Sequence, residues 1–360
     1  MRLSPRLRSP CEVVRRAVLA PSPQRLPHAP KIALPHGGRP SSVDHVTRRR
    51  WDPESLPDLS GQSYLVTGSN AGLGYFASEQ LARAGAHVIM SGRNPKRLSA
   101  ARATLAGRVP GADIESLIID TAKPGSIRSA AASLRTRGPL DGVLLNAGIV
   151  HPPRRRETTS DGAEVVLATN ALGHFALAGE LLVPLARSGG RMVWLGSMSI
   201  SLTPYDPVDL QLTEGYSGWR AYVQSKVVTT ALGLEADRRL REHGVPVDSV
   251  VVHPGYSTSG RTIGLHGVNQ PSKITRFVDN LQTPFTQSKE RGAWPLVRAL
   301  ADPSIGGGQF WGPRYLVKGD PRRARLPKIV RDPERLARIW DACEAATRTR
   351  WPFAAASVAC

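Results

Sequence analysis

The chain is poor in cysteine: Cys11, Cys343 and Cys360 are the only three in 360 residues. Three distant cysteines build neither a disulfide framework nor a thiolate metal site, and they suit a reducing compartment. No apolar run approaches the ~18 residues that a membrane-spanning helix needs. The longest candidate, "FALAGELLVPLA", is broken by Glu180 and Pro184. The first twenty residues hold no uninterrupted apolar core, which argues against a secretory signal. These absences together lead to the expectation of a cytoplasmic protein with no transmembrane segment and no metal site.

Acidic residues are also scarce, 29 Asp and Glu against 48 Lys and Arg, for a formal charge of +19. Such an excess raises nucleic acid as a partner, but its distribution argues otherwise. Residues 1–50 hold eleven Lys and Arg against two Asp and Glu, together with eight prolines. The rest of the excess is scattered, apart from "RRR" at 154–156 and "PRRARLPK" at 321–328. No motif that reads base edges accompanies it, so no specific nucleic-acid function is expected. Segment 1–50 lacks apolar periodicity and reads as a disordered, basic, Pro-rich extension. Its Arg-rich, acid-poor start also has the character of an organelle transit peptide, although the prolines oppose the amphipathic helix such a peptide needs. A third reading leaves residues 1–42 outside the native product, because the folded pattern starts near "WDPESLPDLSG". The three readings stay open.

From Gly61 onward, short apolar runs alternate with helical patterns. "SYLVTGS", "HVIMSGR", "IESLIID", "LDGVLLNAG", "RMVWLGSMS" and "VPVDSVVVHPG" read as six strands. Between them, apolar residues recur at helical spacing, with long helices expected over 159–187 and 219–243. Strands that are apolar almost throughout are buried on both faces, and their alternation with helices implies a parallel sheet. The expected fold is a three-layer, doubly wound α/β fold of the Rossmann kind. One domain spans 51–318, with an irregular substrate loop at about 259–287, and a C-terminal extension with a closing helix spans 319–360. Ligands in such sheets bind at the carboxyl ends of the strands. Six glycine-rich or polar strand ends therefore fall on one rim.

The first of these reads "TGSNAGLG" at 67–74, a strand-to-helix turn with glycines at 68, 72 and 74. Glycine allows the tight turn and lets backbone N–H groups approach a pyrophosphate, while the helix N-terminus adds positive potential. Gly68, Ser69, Asn70, Gly72, Leu73 and Gly74 are thus candidate cofactor contacts. The second strand ends "SGRNPKR", with Arg93 and no acid. An acid there would bind a ribose hydroxyl; arginine suits a 2′-phosphate, so NADP(H) is favoured over NAD(H). Asp120, ending the third strand, is either a hydrogen-bond acceptor for the adenine amino group or the N-cap of the next helix.

In order along the chain, "TGSNAGLG", "NAG", "TNALGHFAL", "GSMS", "YVQSK" and "HPGYST" resemble the short-chain dehydrogenases/reductases. The resemblance covers roughly 55–350. A narrower likeness, from "YSGWRAYVQSK" through "HPGYST" and in the tail that begins "GGGQFWGPRYLVKGDP", is to retinol-dehydrogenase-like bacterial oxidoreductases of that family. The family roles carry over to Asn170, Ser197, Tyr222 and Lys226.

The resemblance implies a Tyr acid/base mechanism with hydride transfer between the nicotinamide and a lipophilic alcohol or carbonyl substrate. Tyr222 protonates or deprotonates the substrate oxygen. Lys226, one helical turn on, lowers the phenol's pKa and binds the nicotinamide ribose. Ser197 holds the substrate oxygen, with Ser199 as its rival. Asn170 positions a water that links Lys226 to solvent, or else serves only as a helix-kink residue. Asn146, with Ala147 and Gly148, ties strands together beside the cofactor. Pro254 and Gly255 pass the nicotinamide, and Thr258 binds its carboxamide, with Ser257 as the alternative. His174 and His253 are structural. The resemblance further implies a homodimer or homotetramer through the two long helices, unless the C-terminal extension blocks one interface.

A second reading keeps the fold and the cofactor but not the chemistry, as a regulatory or scaffold protein. The intact Tyr222–Lys226 pair opposes it. A nucleotide-sugar epimerase or dehydratase is opposed by the spacing of the glycine turn.

Overall fold

The computed structural model describes residues 51–52, 55–202 and 209–359. The basic, Pro-rich extension at 1–50, Cys11 and Cys360 lie outside the described residues.

Strand β1 (Ser63–Val66) sends Leu65 into one hydrophobic core and Tyr64 and Val66 into another. The same alternation sets Val143 and Leu145 of β4 (Gly142–Leu145) against Leu144, and Met192 and Trp194 of β5 (Arg191–Leu195) against Val193 and Leu195. Successive side chains point to opposite faces, so strands that are apolar throughout need a covering layer on each side. Helices α1 (Gly72–Arg83), α2 (Pro95–Arg108) and α11 (Trp294–Ala301) supply one layer. Helices α3 (Pro124–Arg135), α5 (Gly173–Glu180), α6 (Leu182–Ala186), α8 (Gly218–Glu242) and α12 (Pro333–Thr347) supply the other.

The remaining strands are β2 (His87–Gly92), β3 (Ile114–Ile118), β6 (Asp248–Val252), β7 (Ser257–Thr258), β8 (Gln287–Ser288), β9 (Phe310–Pro313) and β10 (Pro321–Arg323). The main sheet has eight strands in the order β3-β2-β1-β4-β5-β6-β9-β10, parallel except for the antiparallel edge strand β10. The expected three-layer, doubly wound α/β fold is present, with two strands more than the six read from the sequence. β9 and β10 escaped that reading because they are short and carry Pro313 and Pro321. Proline is tolerated there because Pro321 opens the edge strand and Pro313 is the last residue of β9, beyond its pairing with β6. β10 also carries the main sheet past residue 318, so the expected boundary between domain and extension falls inside the β9–β10 hairpin.

The helix expected over 159–187 is broken. A short α4 (Val165–Leu167) is capped by the Glu164 carboxylate, which accepts from Val166 N and Leu167 N at 2.9 and 2.7 Å. A π-helical turn at Ala168–Leu172 follows, then α5 and α6. The break between α5 and α6 falls at Leu181, where ψ is 3°. Pro184 explains it: proline has no N–H to donate to the carbonyl of Glu180, and its ring crowds that carbonyl. By contrast α8 matches its expected span, and Ser217 caps it by accepting from Arg220 N.

The C-terminal extension packs onto these helices. From Ala221 to Asp237 every α8 residue except Tyr222 is buried. Trp340 of α12 stacks edge-on against Phe175 of α5, ring centroids 4.8 Å apart, and Trp351 packs against both. The C-terminal extension thus covers part of α8, where Arg239 meets Asp341 and Trp340 of α12.

Candidate active site

The carboxyl ends of β1, β4, β5 and β6 meet above the crossover between β1 and β4. Gly68 leaves β1 with φ +68° and Gly72 opens α1 with φ +60°, backbone that side chains rarely adopt. Gly74 answers a different need: a Cβ there would stand 2.5 Å from Gly68 O and 2.6 Å from Asn146 Nδ2. Ser69 fixes the turn to β2, its N and Oγ donating to Ser91 O at 2.9 and 3.1 Å. Asn70 lies beside the end of β2, its Oδ1 3.0 Å from where a Gly92 Cβ would be. Leu73 and Gly72 are half-buried at the α1 N-terminus, whose backbone N–H groups face the rim.

Thr67 holds this turn to the "NAG" loop. Its Oγ1 donates to Leu144 O at 3.0 Å and accepts from Asn146 N at 2.8 Å and Ala147 N at 3.0 Å. Asn146 Nδ2 returns a bond to Thr67 O at 2.7 Å. Asn146 thus ties β1 to β4, as expected. The sequence reading missed Thr67 itself; its position directly before the first glycine was the available signal.

Arg93 is exposed at the end of β2, with no protein partner for its guanidinium among the described residues. Asp120 is not an N-cap, because that position belongs to Lys123. Its Oδ1 accepts from Ala122 N at 3.1 Å, and Oδ2 faces the Lys123 ammonium at 3.7 Å.

Tyr222, from the first turns of α8, donates to Ser197 Oγ at 3.3 Å. Ser199 N and Oγ also donate to Ser197 Oγ, at 3.2 and 3.0 Å. Ser197 is therefore the hydroxyl in direct contact with the phenol, and Ser199 stands behind it. Lys226 is buried and donates to Leu195 O at 2.7 Å.

Electrostatically the pair departs from expectation. Burial pulls the Lys226 ammonium down to about 8. Burial also raises the Tyr222 phenol, and the Ser197 hydroxyl offsets part of that rise. The expected lowering of the phenol by Lys226 is absent in the chain by itself. Desolvation outweighs it while the amine is turned to the Leu195 carbonyl.

Asn170 sits on the π-helical turn, a feature common at functional sites. Its Oδ1 accepts from Ile149 N at 2.7 Å, and its Nδ2 donates to Ile149 O at 3.2 Å and Ser225 Oγ at 2.9 Å. Ser225 Oγ in turn donates to Tyr222 O at 2.8 Å. Every polar atom of the Asn170 side chain is thus committed to clamping the loop after Gly148 against α8. Its backbone oxygen is taken by Thr229 Oγ1 at 3.0 Å and lies 3.1 Å from His174 Nδ1.

Burial holds His174 down to about 3 and His253 down to about 4. Both are neutral structural rings. Pro254 O accepts from Ser257 Oγ at 3.0 Å, while Gly255 turns with φ +67°. Thr258 Oγ1 is buried with no hydrogen-bond partner among the described residues. An orphaned buried hydroxyl costs free energy unless something bonds it. That separates Thr258 from Ser257, whose hydroxyl is already used. Among the described residues no group of three or more His, Cys, Asp or Glu is placed to hold a metal.

A glycine cradle at a helix N-terminus, a Tyr–Ser contact with a buried lysine one turn on, and an orphaned threonine on the same rim define a dinucleotide-dependent oxidoreductase. The chain belongs to the short chain dehydrogenase family, whose profile matches residues 62–264. It is 33% identical over 304 residues to the polyprenol dehydrogenase of Mus musculus, which spans 82% of this chain and 87% of that protein. It is 33% identical over 218 residues to retinol dehydrogenase 13 of Homo sapiens, 59% of this chain and 65% of that one. Among solved structures it is similar to an uncharacterized protein from Mycobacterium Paratuberculosis, at 30% identity and TM-score 0.69, covering 84% of this chain and 99% of that one. The likeness to retinol-dehydrogenase-like oxidoreductases read from the sequence holds.

Proposed function

We propose that the protein is an NADP(H)-dependent dehydrogenase/reductase of lipophilic alcohols and carbonyls, with Tyr222 as the proton-transfer residue. The observation that carries this reading is the 3.3 Å contact of Tyr222 Oη with Ser197 Oγ above a buried Lys226. When bound, the nicotinamide supplies or takes the hydride. The residues that would hold it are the turn Gly68–Gly74, Asn146, Ala147 and Gly148, Pro254 and Gly255, with Thr258 at the carboxamide and Lys226 and Tyr222 at the ribose. Asp120 would accept from the adenine, and Arg93 would meet a 2′-phosphate, which supports NADP(H) over NAD(H).

Ser197 holds the substrate oxygen through its own proton, since its lone pairs already face Tyr222 and Ser199. Tyr222 turns its one proton from Ser197 Oγ to that oxygen, gives it in reduction and takes it back in oxidation. A phenol lifted by burial works poorly at neutral pH unless a cation faces it. Lys226, with its value near 8, carries that charge at neutral pH. Asn170 positions rather than reacts, holding Ile149 and Ser225 around the phenol's backbone. The names of the relatives, a polyprenol and a retinol dehydrogenase, support a lipophilic alcohol as substrate.

The test is a screen of NADPH and NADH against aliphatic and isoprenoid aldehydes and ketones, following absorbance of the reduced cofactor. Turnover in the wild type, lost in Tyr222→Phe, supports the reading. Equal rates in both would sink it, and tight NADPH binding with no turnover would return the scaffold alternative.

A further inference from the structure

Helix α9 (Lys273–Leu281) buries none of its residues. Its apolar side chains fall at i, i+3, i+4 and i+7: Ile274 is 76% exposed, Phe277 66%, Val278 44% and Leu281 68%. That spacing makes one continuous stripe, normally turned to a core and here turned to solvent. The stripe continues beyond the helix through exposed Phe285 and Tyr256, whose hydroxyl donates to Gln282 Oε1 at 3.1 Å. Lys318 Nζ donates to Thr283 O at 3.3 Å, and so sets exposed Tyr315 and Leu316 beside the same end of α9. Leu316 holds its apolar side chain outward from a backbone with φ +64°, strained for a leucine.

Cations flank the stripe: exposed Arg314 and half-buried Lys318 lie in the 314–318 turn beside it. Lys273 and Arg276 lie on α9 itself. Its one acid, Asp279, is committed to Gly260 N at 2.6 Å. A surface that offers acyl chains below and negative charge above matches both features.

We propose that α9, with Phe285 and the 314–318 turn, docks the protein on an anionic lipid bilayer without crossing it. Among the described residues no helix is long and apolar enough to cross one. The docking surface lies at the site's mouth. α9 connects β7 to β8, which pair with each other, and Thr275 O lies 2.6 Å from where a Gly260 Cβ would be, two residues after Thr258. The inference goes beyond the catalytic reading and does not depend on which alcohol is oxidised.

The test is flotation of the full chain with vesicles of phosphatidylcholine alone and with about 30 mol% phosphatidylglycerol. Binding to the mixed vesicles is expected to be roughly 10-fold tighter than to the neutral ones. Phe277→Glu/Leu281→Glu should lose that binding at least about 10-fold with an unchanged melting midpoint, because neither side chain is packed inside. Lys273→Glu/Arg276→Glu, which keeps the stripe, should lose the preference for anionic vesicles. Three outcomes would overturn the proposal. The wild type fails to bind either vesicle; the Phe277/Leu281 variant binds as well as wild type, which assigns binding to the basic residues 1–50; or that variant turns a dimer into a monomer, which assigns the stripe to a second copy.

Discussion

Tyr222 donates to Ser197 rather than to Ser199, and Ser199 donates to Ser197 as well. The two serines are two residues apart and equally hydroxylic, yet only one touches the phenol. Ser197→Ala should lower kcat/KM by about 10²–10³, the cost of one oxyanion-type donor. Ser199→Ala should cost no more than about 10-fold, the loss of one neutral hydrogen bond at ~1 kcal/mol. Tyr222→Phe should fall by about 10²–10⁴. In the wild type, burial raises the phenol, so alcohol oxidation should rise with pH through the neutral and mildly basic range, while carbonyl reduction should stay level there because the phenol keeps its proton. Steady-state rates in both directions across pH check this. A larger loss for Ser199→Ala than for Ser197→Ala would reverse the assignment.

Much of this site was legible because the sheet demanded it. Six apolar runs between helical patterns leave one way to bury both faces, and that puts each polar strand end on the same rim. Tyr222 and Lys226 were legible as a pair on one helical face, but their roles followed from the family resemblance of the ordered motifs and not from spacing alone. Thr67 was not, since its role as acceptor for two N–H groups depends on β4 lying beside β1. The π turn under Asn170 was not either, because it arises from contacts to Ile149 and Ser225 far away in sequence. Helix α9 could have been read: Ile274, Phe277, Val278 and Leu281 carry the helical period. It was passed over as irregular because no neighbouring strand pattern called for a covering helix.

Thr67→Val tests the hub. Valine keeps the shape but removes the acceptor for Asn146 N and Ala147 N and the donor to Leu144 O. Asn146 N and Leu144 O still pair with each other at 3.1 Å, so the groups left unpaired are Ala147 N and His174 Nε2, which lies 3.1 Å from the hydroxyl; at about 1–3 kcal/mol each, a total near ~3 kcal/mol is expected in chemical denaturation. Cofactor affinity should drop with it, because the same bonds hold the glycine turn to the "NAG" loop. A variant as stable as wild type would show that water replaces the hydroxyl freely.

Arg93 is exposed at the β2 end and has no partner among the described residues, so replacing it should change binding and little else. Arg93→Gln should raise the KM for NADPH by about 10–100-fold, the loss of a charge-assisted contact worth ~1.5–3 kcal/mol, and leave the KM for NADH within about 2-fold. The melting midpoint of the free protein should not move. Equal effects on both cofactors would remove Arg93 from the 2′-phosphate.

Lys226 should be costly to stability and necessary to activity. Burial lowers it to about 8 from an ordinary 10.5. Below pH ~8 both folded and unfolded chains hold the proton, and the folded one bears the full cost of a buried ammonium. As pH rises from about 8 to 10 the unfolded chain retains the proton longer, so this cost is progressively relieved. A shift of that size corresponds to about 3 kcal/mol at 1.36 kcal/mol per unit. Lys226→Met removes the charge at similar length but leaves Leu195 O without its donor, an offset of about 1–2 kcal/mol. The variant should therefore be more stable than wild type by about 1–2 kcal/mol at pH 7, with the advantage vanishing near pH 10. Its turnover should fall by about 10² or more, since no cation then faces the phenol. Melting of both proteins at pH 7 and pH 10, beside activity at pH 7, reads all three outcomes. A variant less stable at pH 7 than wild type would mean that the bond to Leu195 outweighs the buried charge.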